Sequence, residues 1–136
     1  MKLSENFSYE EMIASTTASN RKIDNTPNRE QLENLGVLCR EILQPLREKY
    51  GRPITVTSGF RSSALNKVVG GVSTSQHLKG EAADIICANN KELWNIAVRL
   101  VKEGKIIVGQ LINEKNLSWI HISLPTKTKK NQILSL

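Results

Sequence analysis

The chain contains only two histidines, His77 and His121, with Asp84 between them. His77 and Asp84 lie in Ser75-Gln76-His77-Leu78-Lys79-Gly80-Glu81-Ala82-Ala83-Asp84, and the second histidine in Trp119-Ile120-His121-Ile122-Ser123. Read as three metal ligands, they restrict the fold severely. On an extended strand His77 and Asp84 would stand roughly 23 Å apart and on opposite faces, so the segment joining them must double back. Gly80 and two alanines are small enough to permit that turn. His121 must then return from much later in the chain to the same point. Catalytic zinc commonly takes three protein ligands from His, Asp and Glu and leaves one position open, and this set supplies that number. Either histidine alone is better explained as a hydrogen-bonded loop residue or a satisfied core residue. The three together carry the metal reading.

The surrounding sequence predicts elements able to present such a set. Ser8 and Glu11 form a capping box for a short helix through about Ser15, and a polar loop runs on through Asn28. From Arg29, apolar residues at Leu32, Leu35, Leu38, Cys39, Ile42, Leu43 and Leu46 recur at helical spacing. They predict a long amphipathic helix to Tyr50-Gly51, with Pro45 kinking it or loosening one turn. Ile54 to Ser58 reads as a strand delivering Gly59-Phe60-Arg61 to a turn, after which Ser62 or Ser63 caps a helix that Gly70 and Gly71 end. Ala82 to Ile86 reads as a buried strand. A helix from Asn89 or Asn90 to Gly104 follows, with Leu93, Trp94, Ala97, Leu100 and Val101 on its inner side. Ile106–Ile112 and Leu117–Ser123, separated by Asn113-Glu114-Lys115-Asn116, read as a β-hairpin. The expected fold is α+β, with N-terminal helices packed on a small antiparallel sheet. Residues 1–124 form one domain, and residues 125–136 a basic C-terminal tail.

With 136 residues the chain suits a single domain. No apolar stretch approaches the roughly 20 residues of a membrane helix, and Met1 to Phe7 lacks the apolar core of a secretory signal. The chain is therefore expected to be made in the cytosol, to lack a transmembrane segment and to be monomeric. Cys39 and Cys87 have no metal-ligand spacing and read as buried free thiols. The formal net charge of +6 suits a polyanionic environment such as an acidic cell wall, and equally suits simple solubility. Nucleic acid is not expected as a partner, because the chain has no aromatic stacking cluster and no helix-turn-helix pattern.

Ser58-Gly59-Phe60-Arg61-Ser62, the Ser75–Asp84 element and Trp119-Ile120-His121 together resemble the D-alanyl-D-alanine carboxypeptidase-like zinc peptidases. That family includes vancomycin-resistance D,D-dipeptidases and phage endolysins and shares its fold with the hedgehog signalling domain. The likeness runs from about Phe7 to Ser123. Leu43-Gln44-Pro45-Leu46-Arg47 and Leu65-Asn66-Lys67-Val68-Val69-Gly70-Gly71 resemble its small phage-type members in particular. The resemblance implies a hedgehog/D,D-peptidase-like fold, Zn2+ held by His77, Asp84 and His121, and Arg61 facing the substrate. It implies hydrolysis of a peptidoglycan stem peptide, by a D,D-carboxypeptidase or an endopeptidase acting at the cell wall. An arginine fork suits a substrate carboxylate or the oxyanion that develops on a peptide carbonyl. Ser75 and Gln76 would position substrate by hydrogen bonds.

Many family members carry Glu-x-x-His at the last ligand, whereas Ser118 stands three residues before His121. A carboxylate is still wanted to take the proton of the attacking water and pass it to the leaving amine. Glu114, in the expected hairpin turn, is one candidate, since hedgehog-like relatives place a glutamate at a similar turn about one residue closer. Glu81, between two ligands, is the other. A zinc-bearing module that binds a wall peptide or a protein with weak catalysis is the alternative to an enzyme.

Overall fold

A computed structural model describes all residues, 1–136. The N-terminus forms a small hairpin, β1 (Lys2–Ser4) and β2 (Phe7–Ser8), followed by α1 (Tyr9–Ile13) and α2 (Thr16–Arg21). Ser8 and Glu11 form the expected reciprocal capping box. The loop expected after Ser15 instead begins with a second short helix, because Ser15 accepts a hydrogen bond from Ala18 N and caps it.

The long helical segment is continuous from Arg29 to Tyr50 but changes winding twice. It comprises α3 (Arg29–Leu38), a π-helical turn (Cys39–Leu43) and α4 (Gln44–Tyr50). Pro45 explains the middle piece. It has no N–H to give and its ring crowds the carbonyl one turn back. The wider turn, in which Gln44 N–H reaches Cys39 O, lets the apolar stripe continue past it. Leu35, Leu38, Cys39, Ile42, Leu43 and Leu46 are all fully buried along this seam.

The remaining elements are β3 (Ile54–Ser58), α5 (Ser63–Val68), a 3-10 turn (Gln76–Lys79), β4 (Ala82–Cys87), α6 (Asn90–Lys102), β5 (Gln110–Glu114), β6 (Trp119–Ser123) and β7 (Gln132–Ser135). The five strands β3 to β7 form one sheet in the order β3-β4-β6-β5-β7. The β5–β6 hairpin is present with its turn shifted: Ile106 to Gly109 lie outside it, Asn113 and Glu114 belong to β5 and not to the turn, and Leu117 and Ser118 belong to the turn and not to β6. Two expectations are corrected. The sheet is not wholly antiparallel, because β7 pairs with β5 in parallel. The segment from Pro125 does not trail as a tail, because Asn131 N–H bonds to Val108 O and Gln132 N–H to Gly109 O, and the chain joins the sheet edge. The apolar Ile133 and Leu134 within the basic stretch are what that strand places in the sheet.

The alternation of side chains across the strands separates core from site. Ala83, Ile85, Leu111, Ile120 and Ile122 point into one continuous apolar core with Leu93, Ala97 and Leu100 of α6 and the seam of α3 and α4. Trp94, expected on the inner side of α6, is only half-buried and packs at the margin of that core. Asp84, His121, Ile112 and Glu114 occupy the opposite face, since Asp84 pairs with His121, Ile112 with His121 and Glu114 with Trp119. No helix is long and apolar enough to cross a membrane.

Candidate metal centre

Asp84 and His121 reach their places through strand register alone. They are directly opposed on β4 and β6, and His121 Nδ1 lies 3.0 Å from Asp84 Oδ1. His77 arrives by a different route. Ser75 Oγ accepts from His77 N and starts the 3-10 turn, and Gly80, at φ +73°, reverses the chain into β4. A side chain at Gly80 would also overlap the Gln31 carbonyl oxygen, so the reversal needs glycine for two separate reasons. Helix α3 holds the back of this loop, with Gln31 Nε2 donating to Leu78 O at 3.1 Å and Asn34 Nδ2 to Lys79 O at 2.9 Å.

His77 Nδ1 lies 2.7 Å from the carbonyl oxygen of Gly59. A carbonyl only accepts, so Nδ1 carries a proton, and in the neutral ring Nε2 keeps its lone pair for a metal. That Nε2 is 3.4 Å from Asp84 Oδ1. It is shut off from solvent and makes no hydrogen bond. The two imidazoles meet edge to face, with ring centroids 5.3 Å apart. One donor atom each from His77, Asp84 and His121 falls within a 4.8 Å span. Two imidazole nitrogens and a carboxylate oxygen so grouped, one of the nitrogens buried without a partner, fit a zinc ion with a position left over. Burial opposes ionisation of Asp84, but the imidazoles of His121 and then His77 more than offset it and hold the carboxyl well below its usual range.

A polar cleft of about 380 Å³ opens beside Asp84 and is walled by Arg61, Ser58, Thr57, Ser15, Thr16 and Thr17 among others. The turn carrying Arg61 is fastened from three sides. Phe60 N–H bonds to Met12 O at 2.8 Å, Arg61 N–H bonds to His77 O at 3.1 Å, and Asn25 bridges Phe60 O and Ser62 N at 3.0 and 2.8 Å. Burial lowers the Arg61 pKa while the Asp84 carboxylate raises it, and the net shift is downward.

Ser75 and Gln76 lie elsewhere than on the cleft wall. Ser75 caps the ligand turn, and Gln76 is buried with its amide donating to Leu124 O at 3.0 Å. Both hold the His77 loop. The two candidate bases also separate. Glu81 lines a different groove with Asn28, Gln31, Asn34 and Lys79. Glu114 shares the face of His121 and stands diagonally from it across the β5–β6 ladder, a relation that places Cβ atoms about 7 Å apart. Ser118, at the position where a Glu-x-x-His glutamate would stand, donates its hydroxyl to Lys115 O at 2.7 Å and closes the hairpin turn.

Residue-by-residue reading missed Gly59, Asn25 and the Ser15–Thr17 wall. Gly59 stands in the same Ser-Gly-Phe-Arg stretch as Arg61, but only the fold shows its carbonyl orienting His77 and its Cα packed so close that a Cβ would overlap Met12 O. Asn25 lies in a stretch of loop composition, and nothing local marks it as a staple.

The sequence profile described as peptidase M15 matches residues 5–123. The chain is also 52% identical over 44 residues to the zinc D-Ala-D-Ala carboxypeptidase of Streptomyces albus G, a stretch covering 32% of this chain and 17% of that protein.

Proposed function

The chain belongs to the peptidase M15 family of zinc metallopeptidases, and from that premise we propose that it hydrolyses peptidoglycan stem peptides, as a D,D-carboxypeptidase or a related endopeptidase. The observation that carries this reading is the convergence of His77 Nε2, Asp84 Oδ1 and His121 Nδ1 beside a cleft that holds an arginine. The partial likeness to a zinc D-Ala-D-Ala carboxypeptidase supports the substrate class.

His77, Asp84 and His121 would hold the ion. When bound, zinc polarises the scissile carbonyl and acidifies the attacking water. The Gly59 carbonyl fixes the His77 ring by its Nδ1 proton and keeps Nε2 directed at the site. Arg61 presents donors to the substrate carboxylate or to the oxyanion as it develops. Glu114, on the ligand face of the sheet, accepts the proton of the attacking water and returns it to the leaving amine. The hydroxyls of Thr16, Thr17 and Ser58 line the wall along which the peptide lies.

Zinc-loaded protein incubated with muropeptides tests the proposal by mass spectrometry. Release of D-alanine identifies a carboxypeptidase, and cleavage of a cross-bridge identifies an endopeptidase. Absence of product across several pH values rejects catalysis. Ser118 in place of the Glu-x-x-His glutamate favours a second reading, a zinc-bearing module that binds a wall peptide with little turnover.

A further inference from the structure

Asn66 lies on α5, outside the metal cluster, yet it is 4% exposed and every group it offers is engaged. Its Oδ1 accepts from Arg61 Nη1 at 3.1 Å, and its Nδ2 donates to Val72 O at 2.9 Å. Its own carbonyl accepts from Gly71 N at 2.9 Å. One amide therefore joins the cleft arginine to the Gly70–Ser75 loop, whose far end begins the turn bearing His77. Gly71 completes the arrangement. A Cβ there would overlap Asn66 Oδ1 and approach Arg61 Nη1 to 2.7 Å, so the loop can close over the pair only with glycine. On the other edge of the guanidinium, Arg61 Nε is buried without a partner. With Asn66 engaging one Nη, the arginine is fixed at a single edge and would otherwise be free to swing in the cleft.

We propose that Asn66 is a positioning residue that orients the Arg61 guanidinium towards the substrate and couples it to the loop carrying the first metal ligand. This rests on the reading that Arg61 faces substrate. An arginine held by a neutral amide keeps its whole charge for the substrate, whereas a carboxylate partner would neutralise it. The amide is also bifunctional. It carries the acceptor for Arg61 and the donor for Val72 O on one rigid planar group.

A double-mutant cycle tests the proposal on the zinc-loaded protein with muropeptide substrate, using Arg61→Ala, Asn66→Ala and both together, with zinc content and Tm recorded for each. Asn66→Ala is expected to lower kcat/KM about 10-fold or more in the native background and by less than about 2-fold when Arg61 is already alanine, with zinc retained. Equal losses in both backgrounds, or no loss in the native one, overturn it. If Arg61→Ala alone leaves kcat/KM unchanged, the reading of Arg61 fails instead, and the two failures are distinct. Should Asn66→Ala not fold, Asn66→Asp and Gly71→Ala disturb the same pair without emptying the site, and both should show the same dependence on Arg61. Independently of substrate, the Arg61 Nε–H resonance in 15N spectra, assigned by its loss in Arg61→Lys, should exchange slowly in the native protein and fast in Asn66→Ala. Equal exchange in the two proteins also overturns the proposal.

Discussion

Asp84 and His121 face each other across neighbouring antiparallel strands, with Asp84 Oδ1 3.0 Å from His121 Nδ1, so two of the three residues of the candidate metal centre are set by sheet register. A slip of one residue between β4 and β6 would turn one of them to the opposite face. The apolar side chains of the same strands, Ala83, Ile85, Ile120 and Ile122, prevent it, because the slip would expose them. The core thereby enforces the geometry of the site on its reverse side.

If Asp84 is the central ligand, as proposed, removing it should abolish the site without abolishing the fold. Asp84→Ala is expected to lower zinc affinity by more than about 100-fold, beyond the loss typical of a residue that only supports a ligand, and activity with it. Metal content after dialysis, read beside turnover, checks this. Lost turnover with one zinc still bound would show that Asp84 acts in catalysis and not as a ligand.

The depressed Asp84 pKa has a consequence for the metal-free protein. A carboxyl that ionises more readily folded than unfolded stabilises the fold above its unfolded value of 3.8, and that contribution is lost as pH falls below it towards the folded value. The Tm of the metal-free protein should therefore drop between about pH 4 and pH 2. The drop should be shallower in Asp84→Asn, which has no proton to take up. Identical acid limbs in the two proteins would contradict the ion-pair account.

Two glycines of the same backbone conformation should respond differently to alanine. Gly70 and Gly80 have φ of +77° and +73°, but a Cβ meets nothing within 4 Å at Gly70 and overlaps Gln31 O at Gly80. Gly70→Ala should cost about 1 kcal/mol of strain. Gly80→Ala should cost about 3 kcal/mol or more, and should loosen zinc because the clash pushes on the His77 turn. Chemical denaturation with zinc titration separates the two effects.

The legibility of this chain followed the range of the interactions involved. The capping box of Ser8 and Glu11, the stripe from Leu32 to Leu46 and the β5–β6 hairpin are local patterns, and the structure carries each of them. The parallel pairing of β7 with β5 was not legible, because neither Ile133 nor Leu134 carries any mark of its distant partner and the short apolar pair follows a lysine-rich stretch. At the site, the combination of His77, Asp84 and His121 and the motif around it were visible in the sequence, and the fold brings the three together, whereas Asn25, Gly59 and Asn66 act through hydrogen bonds to residues they meet only in the fold. Ser75 and Gln76 also carry bonds that only the fold reveals, Ser75 Oγ accepting from His77 N and Gln76 Nε2 donating to Leu124 O.

The two thiols should differ sharply in reactivity. Burial above all, with the nearby Glu11 charge adding and Arg40 opposing, pushes the Cys39 thiol up to about 12, so it holds no reactive thiolate near neutral pH. Cys87 is half-buried at the end of β4. At pH 8 a thiol reagent should modify at most one cysteine in the native protein and both in denaturant, with peptide mapping placing the protected thiol at Cys39. Modification of Cys39 at the rate of a free thiol would mean that the core around the π-helical turn opens readily.

Glu114 decides between enzyme and binder. It is the carboxylate placed on the ligand face of the sheet, beside Trp119 and diagonal to His121, whereas Glu81 opens onto another groove. Glu114→Gln keeps the shape and removes the ability to accept a proton. As a base it should cost about 100-fold or more in kcat and leave zinc stoichiometry unchanged. Glu81→Gln should leave kcat within about 2-fold, in line with a surface substitution away from the site. Turnover unaffected by Glu114→Gln would transfer the proton to another group. A protein with no turnover whose zinc and wall-peptide binding survive the change unaltered would be a binding module.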